Sequence, residues 1–218
     1  MEILYCDNKI IVCVKSPGVL STDEPGGAPS LLRAALGDAA APVYTVHRLD
    51  AAVGGVMVFA RTRHAASDLG KAVQSGAVEK TYLAVLRGEL PSPSGTLRDW
   101  LRRDTRRGMT FAVPAPEKDA KEAALEYETL SELDGLSLVR IRLITGRTHQ
   151  IRCQFSHRGF PLWGDRKYGR PGEGGPIALW AHTLAFAHPA TGEPMSFQKS
   201  PPAAEPWTLF KEELWRQN

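Results

Sequence analysis

Cysteine is nearly absent from this chain. Its three thiols, Cys6, Cys13 and Cys153, are odd in number and show no C-x-x-C spacing, so neither a disulfide framework nor a zinc knuckle is supported and a reducing cytoplasm is the expected compartment. Long apolar runs are missing as well. None approaches the roughly 20 residues that span a bilayer, and the opening MEILYCDNK is a strand-like pattern, not a leader, so a soluble chain without a membrane partner is expected. The sequence lacks G-x-S-x-G, H-E-x-x-H, G-x-x-x-x-G-K-[ST] and a G-x-G-x-x-G at a strand-to-helix turn, which removes the usual parts of hydrolase elbows, zincins, P-loops and dinucleotide folds. A metal site has little to build on. His149 and Cys153 stand four apart, but further ligands would have to come from the distant His47, His157 or His182, so each histidine reads as a hydrogen-bonding or phosphate-contacting residue and no metal is expected.

Net charge is also small, +3 over 218 residues. Its distribution is uneven. Between Arg140 and Arg170 eight basic residues face one acid, Asp165, a local +7 that leaves −4 for the remainder. A second cluster, RDWLRRDTRR at 98–107, sets five arginines against Asp99 and Asp104. Concentrated positive charge on an otherwise acidic chain suggests a face for a polyanion, the alternative being a solvated charged surface.

With 43% hydrophobic residues the chain can bury a core as one large domain or two small subdomains. Ile10 to Lys15, Val43 to Val46, Val53 to Ala60 and Lys80 to Leu86 read as strands. Thr62 caps an expected helix over RHAASDLGKAVQS that Gly76 ends. Alternation from Leu125 to Leu143 about Asp134-Gly135 predicts a type I′ hairpin with one basic, wet edge. A short helix follows, with Thr148 as candidate N-cap and Gly159 as its stop. Ile151 and Phe155 would face the core, with His149, Arg152 and Ser156 on a polar face. Ile177 to Ala187 resumes strand character, and EPWTLFKEELW closes with a helix. The Pro- and Gly-rich pieces 16–29, 88–95 and 169–176 read as surface loops. Strands and helices interspersed with hairpins predict a mixed α+β sheet, largely antiparallel, with a basic cleft.

Two clusters carry chemistry, HRLD at 47–50 and TGRTHQIR at 145–152, each at a strand end where loops present side chains. One supplies a carboxylate, Asp50, and the other two arginines. An arginine within about 4 Å would favour the ionised acid by roughly 4 kcal/mol at an effective dielectric of 20, before desolvation is subtracted. An ionised carboxylate in a dry cleft is a nucleophile or a base; the alternative is an Asp–Arg pair that only fixes the fold.

Read together, HRLD, KTYLAVLRG at 80–88, TGRTHQIR with HRGFPLWGDRKYG at 145–169, and LWAHTLAFAHPATGEPMSF at 179–197 resemble, in order, the successive motifs of the RluA-type RNA pseudouridine synthases. The resemblance implies a cofactor-free isomerase that detaches uracil from C1′ of a uridine in ribosomal or transfer RNA, rotates it and rejoins it through C5. It implies Asp50 as the catalytic aspartate. Tyr82 would stack on the uracil and serve in removing the C5 proton. Arg152 would pair with Asp50, Arg48 would enter the RNA in place of the extruded nucleotide, and Arg147 and His149 would contact phosphates, with His47 grouped among the RNA-binding residues. Base extrusion costs a few kcal/mol and needs both a filler and an aromatic platform, which suits these residue types. The implied protein is a monomer with a single catalytic domain over 1–218, lacking the S4-like N-terminal domain of many relatives. A noncatalytic RNA-binding or RNA-folding factor on the same scaffold is the alternative. Two departures stand out: Val53-Gly54-Gly55 replaces the family's frequent Thr-Ser-Gly, and Ser16 stands where proline is common.

Overall fold

Apolar and β-branched residues concentrate in IIVCVK and GGVMVFA, and both segments are strands buried along their whole length. The structure is a computed structural model that describes residues 1–114, 116–170, 172 and 175–216. Positions 171, 173 and 174 of the expected 169–176 loop lie outside them. In chain order the first half comprises β1 (Glu2–Cys6), β2 (Ile10–Lys15), α1 (Ala28–Leu36), β3 (Tyr44–Thr45), β4 (Gly54–Ala60), α2 (Arg63–Ser75) and β5 (Glu79–Arg87). Then follow β6 (Ser94–Asp104), β7 (Met109–Val113), β8 (Ala120–Leu133), β9 (Leu136–Leu143), α3 (Gln150–His157), β10 (Leu179–Ala187), β11 (Pro194–Gln198), a 3-10 turn at Trp207–Leu209 and α4 (Glu213–Arg216). The architecture is mixed α+β, as expected, with mostly antiparallel strands and few helices. It divides into two compact units, Met1–Lys80 with Ala181–Lys199, and Thr81–Trp180 with Ser200–Asn218.

In the first unit the strands run β1-β2-β4-β10, with β3 also on β4 and β11 on β10. Alternate residues Ile10 and Val12, Val56, Val58 and Ala60, and Leu184 and Phe186 form one apolar face, covered by Ala65 and Leu69 of α2. That helix forms as expected. The Thr62 hydroxyl accepts the Ala65 N–H at 3.1 Å, and Gly76 closes it at φ 78°. Gly55, the last residue of the Val-Gly-Gly departure, sits at φ 125°, where an added Cβ would collide with the Ala181 carbonyl of β10. Gly55→Ala should therefore destabilise the fold by about 2 kcal/mol or more, read as a lowered urea midpoint at unchanged slope. A midpoint equal to wild type would mean that β10 does not press on β4 at this residue.

The second unit orders its strands β5-β9-β8-β6-β7, with every one of these neighbours antiparallel. Asp134 (φ 49°) and Gly135 (φ 71°) make the expected type I′ turn between β8 and β9. The expected basic edge is not there. Both hairpin strands are flanked on each side, and Arg140 and Arg142 are neutralised by ion pairs to Glu128 (3.1 Å) and Glu126 (2.7 Å) across the ladder. The 98–107 cluster runs along the second part of β6 into the turn before β7, a strand pair that the arginines concealed from periodicity. Arg98, Arg102 and Arg107 pair with Glu122, Glu117 and Asp104, leaving Arg103 and Arg106 exposed at the tip. Two further expectations change. The loop expected over 16–29 gives way to α1 at Ala28, with Pro29 in its first turn, and the closing segment is a 3-10 turn plus a single helical turn, because Pro206 and two short apolar patches do not sustain a longer helix.

Candidate active site

HRLD occupies the loop between β3 and β4, and each of its neighbours is tied to the first unit by a bond of its own. The Ser21 hydroxyl donates to the Leu49 carbonyl at 2.9 Å and accepts the Leu49 N–H at 3.1 Å, and the Leu49 side chain is buried. Past Asp50, the Val53 N–H closes a turn onto the Asp50 carbonyl at 3.0 Å, and the Gly18 N–H reaches the Ala51 carbonyl at 2.8 Å. Asp50 is thereby held half-buried on a rigid turn, with Arg48 exposed two residues before it. His47 is buried. Its Nε2 accepts the Val58 N–H at 3.2 Å, and burial, with the Lys80 charge adding to it, pushes its pKa down to about 3, so the ring is neutral and fastens the loop to β4.

Lys15, read from the sequence only as the end of a strand, lies beneath this loop with no exposed surface. Its ammonium donates to the carbonyls of Val19 (2.7 Å), Ser16 (3.1 Å) and Ala51 (3.2 Å). Burial lowers its pKa to about 8, and the Asp50 charge pulls the other way.

The second unit gathers the remaining residues around α3. Arg152 is buried and forms a bidentate pair with the buried Asp165, Nε to Oδ2 and Nη2 to Oδ1, both at 2.7 Å. Burial alone would raise the Asp165 pKa. The Arg152 guanidinium and the N–H groups of Lys167 and Tyr168 overcome that and hold it below the usual carboxylate value. The guanidinium also lies 5.2 Å from the Tyr168 ring centre. The Tyr168 hydroxyl accepts the Thr110 N–H at 2.6 Å and bonds His149 Nδ1 at 2.9 Å, so His149 and Arg152 share one support. His149, not Thr148, caps α3, in the left-handed conformation at φ 53°. The Gln150 carboxamide oxygen accepts the Arg147 N–H at 3.0 Å and the Thr145 hydroxyl at 2.8 Å, which ties the TGRTH turn to the start of the helix. Arg147 is exposed, and its Nε donates to the Glu122 carbonyl at 2.9 Å. Tyr82 is buried on β5, opposite Ile141 of β9. Of the helix face expected to be polar, Arg152 is buried on Asp165, while His149 and Ser156 are half-buried and bond the Tyr168 hydroxyl and carbonyl. Among the described residues no His, Cys, Asp and Glu cluster has the makings of a metal site, and no helix is long and apolar enough to cross a membrane.

Comparison with known proteins decides the family. The sequence pattern of the family described as RNA pseudouridylate synthase matches residues 9–157. The chain belongs to the RNA pseudouridine synthases. It is 33% identical over 211 residues to the dual-specificity RNA pseudouridine synthase RluA of Yersinia pestis, a match covering 91% of this chain and 98% of that protein. An uncharacterized RNA pseudouridine synthase of Mycoplasma pneumoniae, the MG209 homolog, is 32% identical over 203 residues, covering 91% of this chain and 66% of the relative. The structure of human RNA pseudouridylate synthase domain containing 1 shares the fold, with a TM-score of 0.80 at 23% identity, over 93% of this chain and 84% of that one. The chain is accordingly an RluA-type isomerase acting on RNA. Three residues of its polar network escaped sequence reasoning: Lys15, Asp165 and Tyr168. The last two lie in GDRKYG, and the signal for Asp165 was its place as the one acid in a stretch of eight basic residues.

Proposed function

We propose that this synthase converts a specific uridine of a structured ribosomal or transfer RNA to pseudouridine, with Asp50 as the reacting carboxylate and no cofactor. The observation that carries the reading is the fixation of the HRLD turn, which holds Asp50 half-buried by backbone bonds on both sides while Arg48 beside it stays exposed. In this reaction the bond from C1′ to N1 breaks, the freed uracil turns, C1′ bonds to C5, and the proton lost from C5 is matched by one gained at N1, so product and substrate are isomers and no external reactant is consumed. Asp50 acts on the nucleotide as the glycosidic bond breaks. Tyr82 stacks on the uracil and serves in C5 proton removal, and Arg152, held rigid by Asp165, pairs with Asp50. Arg48 fills the gap left by the extruded nucleotide, while Arg147 and His149 contact phosphates. His47, neutral and buried, contributes by holding the loop that carries Arg48. The protein acts as a monomer in the cytoplasm.

The test is tritium release from ribosomal and transfer RNA carrying uridine tritiated at C5. Release, followed by mapping of a discrete site, is the expected result; tight binding of both RNAs without release would instead mean a noncatalytic RNA-binding protein. Arg48→Ala should slow the single-turnover rate about tenfold, equivalent to about 1.4 kcal/mol of the extrusion cost. An unchanged rate removes Arg48 from extrusion.

A further inference from the structure

Lys15 is among the largest side chains with no exposed surface, and the mechanism above leaves it unused. The hydrogen-bond acceptors of its ammonium are three backbone carbonyls, those of Ser16, Val19 and Ala51. Carbonyl dipoles solvate a cation but carry no net charge, so a full positive charge remains inside the protein. Its place is specific. Ala51 directly follows Asp50, and its carbonyl also takes the Gly18 N–H, so one oxygen joins the turn after β2 to the turn that carries the reacting carboxylate. In register Lys15 stands opposite Gly55 of β4, which puts no side chain beside the lysine stem.

The ionisable groups acting on Lys15 are Asp50, from the HRLD loop, and Cys13, on the same face of β2. Burial pushes the Cys13 thiol up to about 12, so it stays neutral near pH 7, and β4 presents Gly55 opposite the lysine. Asp50 is thus the counter-charge.

We propose that Lys15 is a positioning residue for Asp50: its ammonium fixes the Asp50 turn through the Ala51 carbonyl and places a buried positive charge beneath the loop that carries it. The assignment rests on Asp50 being the reacting group. Coupling between two charges is reciprocal, so what Asp50 does to the titration of Lys15 measures what Lys15 does for Asp50.

The experiment follows the Lys15 side-chain carbon next to Nζ by NMR across pH in the intact protein and in Asp50→Asn. In wild type the signal should titrate near pH 8, and in Asp50→Asn its midpoint should fall by roughly one pH unit, because the partner charge is gone. An equal midpoint in both proteins overturns the charge coupling. The second readout is amide hydrogen exchange in Lys15→Met, which should speed exchange at Gly18 and Val53 about tenfold or more against a melting curve that still shows a folded protein. Unchanged exchange there overturns the positioning role, and if Lys15→Met does not fold, the titration alone decides. Neither readout uses substrate, so a failure of Asp50 as catalyst registers separately, as tritium release by Asp50→Asn.

Discussion

Asp50→Asn should release no measurable tritium from C5-labelled RNA, a loss of at least about 10³-fold, while its affinity for the same RNA stays within a few fold of wild type. The substitution keeps the volume and one oxygen of the side chain, and the turn around it is held by backbone groups that the change leaves intact: the Leu49 bonds to Ser21, and the Val53 and Gly18 N–H bonds to Asp50 and Ala51. What disappears is the charge and its nucleophilicity. RNA is a polyanion, so loss of a negative charge next to it gives no reason for weaker binding. Rate and affinity should therefore separate. Turnover within tenfold of wild type would take Asp50 out of the chemistry, and a parallel collapse of binding would show that the turn itself had been lost.

The second large effect is structural. Asp165→Ala removes the carboxylate that takes two hydrogen bonds from Arg152 and accepts the N–H groups of Lys167 and Tyr168, with both charged side chains buried. Removing one member of a buried ion pair costs about 3–5 kcal/mol, because the remaining charge has already lost its water. Urea denaturation at pH 7 should show a loss of that order. The pH dependence checks the cause. Asp165 has a lowered folded-state value, so its contribution is present above the unfolded value near 4 and is lost as pH falls through the folded one. The gap between wild type and Asp165→Ala should narrow in acid below about pH 4. A gap that is constant down to pH 3 would assign the loss to packing and not to charge.

Much of the scaffold is written locally. The second helix was legible because Thr62 and Gly76 mark its ends through backbone chemistry that needs no partner, and the type I′ turn because Asp134-Gly135 suits positive φ. HRLD was conspicuous as charge between apolar strands. Other features depend on distant partners. The arginines of β6 look like a solvated patch until Glu122 and Glu117 face them from elsewhere in the chain, and Arg152 looks like an exposed helix residue until Asp165 turns back over it. Lys15 was hidden for a similar reason. A lysine at the end of an apolar strand normally marks the return to solvent, and the carbonyls of Ser16, Val19 and Ala51, the last two brought in by separate turns, allow it to stay inside.

The first unit is not contiguous in the chain. It begins with Met1–Lys80 and is completed by Ala181–Lys199, so the strand beside β4 is made only after the whole run from Thr81 to Trp180 has emerged. At about 5–20 residues per second, a ribosome leaves β4 waiting for β10 for roughly 6–24 s. Gly55 presses directly against Ala181 when that strand arrives. The second unit is interrupted too: its run Thr81–Trp180 precedes β10, but Ser200–Asn218 joins it only after the last segment of the first unit has been made. The loop that bears Asp50 belongs to the first unit, so although its residues are made early it is packed on a sheet that β10 completes late.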